Sequence, residues 1–128
     1  TAKKENHVSV YQHYLNCCEN LGIKGVVVEA PAFEGVELKH IITSEKTGGQ
    51  FSFHLVRIAP NKKIGNHIHE KQLETHEVIS GTGVCVNNGT ELSYEPGVIS
   101  IFPIGVPHEV IAGEDGLYLF AKFMPALC

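Results

Sequence analysis

Two hydrophobic periods divide the chain. Over residues 9–21, Val10, Tyr14, Cys17, Cys18 and Leu21 recur at helical spacing, and Gly22 follows as a stop signal. One short amphipathic N-terminal helix is predicted there. After it the period drops to two. Val26, Val27 and Val28 form a β-branched run, apolar on both faces, which suits a strand covered on both sides. Over 36–43, Val36, Leu38, His40 and Ile42 share one face, and Glu37, Lys39, Ile41 and Thr43 the other. Turn residues at 47–50 lead into a strand over 51–58. A strand over 74–80 is broken by Gly81, Thr82 and Gly83, and a short one over 84–86 runs into Asn88 and Gly89, a strong hairpin signal. Pro96 and Gly97 turn the chain into 98–102. A Pro/Gly-rich corner precedes a strand over 108–111, residues 113–116 make a turn, and 117–123 close the pattern.

Many short strands with frequent turns predict an all-β sandwich or closed barrel and not an α/β fold. The barrel is placed over 36–128. Residues 1–35 add the helix and a strand to the same domain. A length of 128 residues suits one domain with one core, and 43% hydrophobic with 19% charged residues is an ordinary globular balance. The net charge of −4 argues against nucleic acid, which needs a basic face; Lys3-Lys4 and Lys62-Lys63 are isolated pairs. No apolar run approaches the roughly 20 residues of a membrane span, so no membrane partner is expected. Cys17, Cys18, Cys85 and Cys128 form neither a disulfide framework nor a zinc-finger spacing. A reduced, cytoplasmic setting is expected from them. Cys85 is read as a small core residue.

The histidines carry the chemistry. There are eight, and His67 and His69 stand one residue apart. On a strand, side chains at i and i+2 share a face, so both imidazoles reach one point. Glu74 begins the next strand, and His108 opens another behind the rigid corner 103–107. Three imidazoles and one carboxylate suit one divalent transition metal (Fe, Mn, Ni, Zn, Co or Cu) far better than calcium or magnesium. Four protein donors leave up to two positions of an octahedral ion for substrate, water or dioxygen. His76 shares the face of Glu74 and is expected in the same pocket. Its role there is a hydrogen-bond partner, a general base, or a buried histidine paired with a carbonyl or water. His40 points toward apolar neighbours, and His54 cannot be placed, because both faces of 51–58 carry apolar residues. Phe102, Tyr118, Phe120 and Phe123 form either a pocket wall or core.

At these residues the chain resembles the cupin superfamily, in its small single-domain form. His67-x-His69, four residues, Glu74, six residues and Gly81 look like the first cupin motif. Gly97, five residues, Pro103-x-Gly105, two residues and His108 are similar to the second. The glycine that usually opens the first motif stands close, at Gly65, and Ala112 replaces the asparagine that often ends the second. The resemblance covers about residues 51–125. It implies a double-stranded β-helix (jelly-roll) barrel with the metal held by His67, His69, Glu74 and His108. It further implies pairing into a homodimer through a sheet face and exchanged N-terminal strands.

The same barrel hosts unrelated chemistries. One reading is a metal-dependent dioxygenase, lyase or isomerase acting on a small molecule. A second is a small-molecule sensing or binding module without turnover, and a third is a metal held for structural reasons. Arg57 is the only arginine and lies outside both motifs, so neutral or chelating oxygen ligands are favoured over strongly anionic ones.

Overall fold

The computed structural model describes the backbone of residues 26–29 and all of residues 33–128. The helix expected over 9–21, with Cys17 and Cys18, lies outside the described residues, as do Lys3, Lys4, His7 and His13. Eight strands follow in order: β1 (Val26–Glu29), β2 (Val36–Ile42), β3 (Ser52–Ile58), β4 (Lys63–His67), β5 (Leu73–Asn87), β6 (Thr90–Tyr94), β7 (Ile99–Phe102) and β8 (His108–Met124). One short helix, α1 (Ser44–Thr47), sits between β2 and β3. All strand pairs are antiparallel. Among the described residues no helix is long and apolar enough to cross a membrane.

The two long strands organise everything else. The first half of β5 pairs β7 and the second half of β8, which in turn pairs β3, then β2, then β1. The second half of β5 pairs β6 and the first half of β8, which pairs β4. Two sheets therefore share β5 and β8, as in a jelly roll, and their inner faces meet in one core. Val56, Ile58, Val78, Tyr94, Phe102, Val110, Leu117 and Leu119 are buried in it, with Cys85 among them as expected.

The glycine clusters act differently from the expectation. Gly81, Thr82 and Gly83 do not break the strand; they bend it. Likewise 113–116 is an excursion inside β8, opposite the single residue Thr82 between the pairs Gly81↔Leu117 and Gly83↔Ala112. A Cβ on Gly81 would stand 2.2 Å from the Gly116 carbonyl oxygen, and φ there is +88°, so only glycine lets the strands meet at this corner. Bulges of this kind let one strand serve two sheets. The hairpin expected at Asn88 and Gly89 forms as read, with φ of 50° and 83° joining β5 to β6. In β2 a bulge between His40 and Ile42 reverses the expected faces at its end, so Ile41 is buried where Ile42 was expected.

Candidate metal centre

Both sheets contribute to the cluster. His67 is the last residue of β4 and pairs in register with His108, the first residue of β8. Glu74, the second residue of β5, lies opposite Phe102 on β7 and Phe123 on β8. His69 is not on a strand: β4 ends at His67, and His69 follows in a loop pinned where the Gly105 N–H donates to its carbonyl (3.0 Å). The corner that aims His108 thus also fixes His69. Phe102 stacks on the His108 ring at 4.1 Å and 19°, and Phe33 tilts against His67 at 5.9 Å.

Proton placement defines the chemistry. His67 Nδ1–H donates to the Gly65 carbonyl (2.8 Å) and His108 Nδ1–H to the Val106 carbonyl (3.0 Å), so each ring turns an Nε2 lone pair to the centre. His67 Nε2 lies 3.2 Å from His69 Nε2, and Glu74 Oε1 lies 3.2 Å from His69 Nε2 and 2.9 Å from His108 Nε2. Lone pairs facing lone pairs at that range need a proton or a cation between them. Metal–nitrogen and metal–oxygen bonds of about 2.1 Å at right angles put neighbouring donors about 3.0 Å apart, so the donor set fits a transition ion as it stands. Burial holds the His67 pKa below its usual value, which keeps that ring a neutral donor. Burial alone would push the Glu74 carboxyl up. His76, His108 and His69 together outweigh it and hold Glu74 well below the usual carboxylate range. It stays an anion.

Behind the cluster runs a buried polar chain. His76 Nε2–H donates to Glu74 Oε2 (2.8 Å), and its Nδ1 accepts from the Tyr94 hydroxyl (3.1 Å), which also bonds Ser100. Both His76 nitrogens are engaged. Tyr94 and Ser100 were not singled out from the sequence. The usable signal was the hairpin at Asn88-Gly89, whose register sets Tyr94 opposite Gly83, and the alternation of β7, which turns Ser100 inward.

In front of the cluster is a cavity of about 280 Å³. Its polar lining comes from His40, His67, His69, Glu74 and His76; its walls are apolar, including Val36, Leu38, Val56, Phe123 and Leu127. Among the described residues no Lys or Arg lines it. Arg57 bonds Glu37 instead, at 2.8 Å. Of the four aromatics considered as wall, Phe123 lines the cavity, Phe102 is core against His108, and Tyr118 and Phe120 are only partly buried. His40 lines the same cavity as Val36 and Leu38. His54 is fully buried, with Nδ1 2.7 Å from His40 Nδ1 and Nε2 2.7 Å from Ser52 Oγ.

Residues 54–120, just over half of the chain, match the family model of the cupin domain. The chain is similar to an oxalate-binding protein of Thermotoga maritima, 25% identical over 76 residues. That match takes in 59% of this chain and 63% of the relative, so the chain spans less than two thirds of that protein. Among solved structures it is similar to KdgF from Halomonas sp., at 17% identity and a TM-score of 0.69, over 78% of this chain and 86% of that one. A predicted oxalate decarboxylase from Thermotoga maritima matches at 22% identity and a TM-score of 0.68, over 80% and 93%. Identities this low speak for the fold alone.

Proposed function

The chain belongs to the cupin family, and from that premise we propose that it holds one divalent transition metal through His67, His69, Glu74 and His108, and that it binds and acts on a small molecule through that molecule's oxygen atoms. The observation that carries this is the convergence of three Nε2 lone pairs and one carboxylate at the polar end of an otherwise apolar cavity. When bound, the metal would supply Lewis acidity and an acidified water. The chain's own residues do the rest. Val36, Leu38, Val56, Phe123 and Leu127 enclose the carbon part of the ligand and exclude water. His76 is a positioning residue: it fixes the second oxygen of Glu74, and Tyr94 fixes His76. A cavity of this volume admits only a small molecule. The oxalate-binding relative supports an oxygen-rich one. The reaction belongs to the dioxygenase, lyase or isomerase type.

Elemental analysis of protein purified without added metal tests the site. His67→Ala and His108→Ala are each expected to lose most of the bound metal, and full retention in both overturns the assignment. Iron or copper in the wild type points to dioxygen chemistry. A second reading, a sensing or binding module without turnover, is favoured by His76 having no ring nitrogen left to move a proton.

Two copies are proposed to pair. Among the described residues β1 has a strand neighbour on one side only, and Ile99 and Ile101 of β7 are 68% and 53% exposed. Sedimentation is expected to show a dimer, and a clean monomer refutes it. A reducing, cytoplasmic setting is likewise proposed; among the described residues Cys85 and Cys128 are in no disulfide.

A further inference from the structure

A second cluster of metal-binding side chains lies beside the first and shares none of its residues. His40 on β2 and His54 on β3 are register partners, and their Nδ1 atoms approach to 2.7 Å. Ligand atoms of His40, His54 and Cys128 all lie within 4.8 Å of one another. We propose that these three residues form a second site for a divalent cation of the zinc class, which takes nitrogen and thiolate donors together.

Three features of the structure support it. First, the hydrogen bonds around the pair allow it, with the proton between the two rings given up to the cation. The Leu127 N–H donates to Ser52 Oγ (2.8 Å), and His54 Nε2 sits 2.7 Å from the same oxygen. With its Nε2–H directed at Ser52, His54 presents an Nδ1 lone pair to His40, the outer hydrogen bond that orients a metal-bound histidine. Second, the thiol is delivered by an anchored segment. Cys128 O accepts from Ser44 N–H (2.7 Å) and Ser44 Oγ–H (3.0 Å), and Ala126 N–H donates to the Gly49 carbonyl (3.1 Å). The segment is therefore held at three successive residues. Third, the gap is of the right size to close. Zinc–nitrogen bonds of about 2.0 Å and a zinc–sulfur bond of about 2.3 Å bring tetrahedral donors to about 3.3–3.5 Å. The two imidazoles separate by a fraction of an ångström, and the exposed Cys128 side chain swings in by about 1 Å.

Three donors are one fewer than a closed structural zinc site uses, so water or another small donor completes the set. The consequence is mechanical. Leu127 and His40 both line the main cavity, so a cation here clamps the wall formed by the last residues onto β2 and β3.

Cobalt(II) distinguishes the two sites, because among the described residues only the second has a sulfur donor and thiolate bound to cobalt absorbs in the near ultraviolet. The experiment titrates the full 128-residue chain with cobalt(II) in a thiol-free reductant, following absorbance and bound metal. The wild type is expected to bind two equivalents, the second or first with the charge-transfer band. Cys128→Ser, at an exposed position, is expected to lose the band and one equivalent. His67→Ala is expected to keep the band and lose the other equivalent, which separates this site from the one at Glu74. Saturation of the wild type at one equivalent without the band overturns the proposal, and so does a band that survives Cys128→Ser.

Discussion

His76 illustrates how a single residue is defined by its hydrogen bonds more than by its position. It lies beside Glu74 and lines the cavity, yet Glu74 Oε2 and the Tyr94 hydroxyl occupy both of its nitrogens. Removing it frees the second carboxylate oxygen and leaves the Tyr94 hydroxyl bonded to Ser100 but not to a ring nitrogen. His76→Phe is expected to lower metal affinity about 10–100-fold, measured by competition with a chelator, because outer partners of ligands carry effects of that size. Unchanged affinity would show that Glu74 needs no such support. His54 carries a different consequence. Burial, and then His40, push its pKa down to about 4 from 6.5, against a smaller opposing effect of Glu74. The folded state therefore binds fewer protons than the unfolded chain between those values, so His54 makes stability fall as pH drops from 6.5 to 4 and costs nothing above that window. Urea unfolding of chelator-treated protein across that range should show a shallower pH slope in His54→Gln than in the wild type. Both histidines lay within reach of sequence reading only in part. The alternation of β5 places His76 inward beside Glu74, but its other partner, Tyr94, comes from β6, and a strand apolar on both faces gives no side to His54.

At the scale of elements, the corner where β5 and β8 bend together is what allows one strand to serve two sheets. Gly81 makes the corner possible, with its missing Cβ 2.2 Å from a backbone oxygen. Gly81→Ala is expected to destabilise the protein by about 3 kcal/mol, the sum of a left-handed backbone and a clash that no side-chain rotation relieves. Gly89→Ala shares the positive φ of 83° but meets nothing within 4 Å, so about 1 kcal/mol is expected there. Equal losses in chemical denaturation would refute the distinction. The same corner shows why element boundaries were harder to read than element types. Glycine clusters signal a change of direction, and a hairpin and a bend within one strand require the same residues. Asn88 and Gly89 resolve as a hairpin because positive φ at two successive residues suits a two-residue turn. Gly81, Thr82 and Gly83, and the stretch 113–116, resolve as bends only once strand partners are known. His69 reads as a strand residue for a related reason: its spacing from His67 fits alternation, although the loop beyond β4 achieves the same convergence through the Gly105 N–H.

Across the whole molecule, β8 is the strand on which the others depend. It pairs with β3, β4 and β5, and those partners lie far from it in sequence. Neither sheet is complete until it is in place, and topologies dominated by such distant pairings fold slowly. His108 stands at its first residue, so the proposed ligand set stays incomplete in any partly folded chain lacking β8. If the proposed ion is bound, its loading would be an event of the finished fold, since a nascent chain emerging in order presents His67, His69 and Glu74 before His108. Interactions formed after the rate-limiting barrier slow unfolding without speeding folding. Stopped-flow measurements with and without saturating metal are therefore expected to give the same refolding rate, with unfolding slowed about tenfold for each 1.4 kcal/mol of binding energy expressed in the native state. The ion would act as a latch on a door already shut: its worth to the cell lies in how long the folded barrel persists, and hardly at all in how fast it is made.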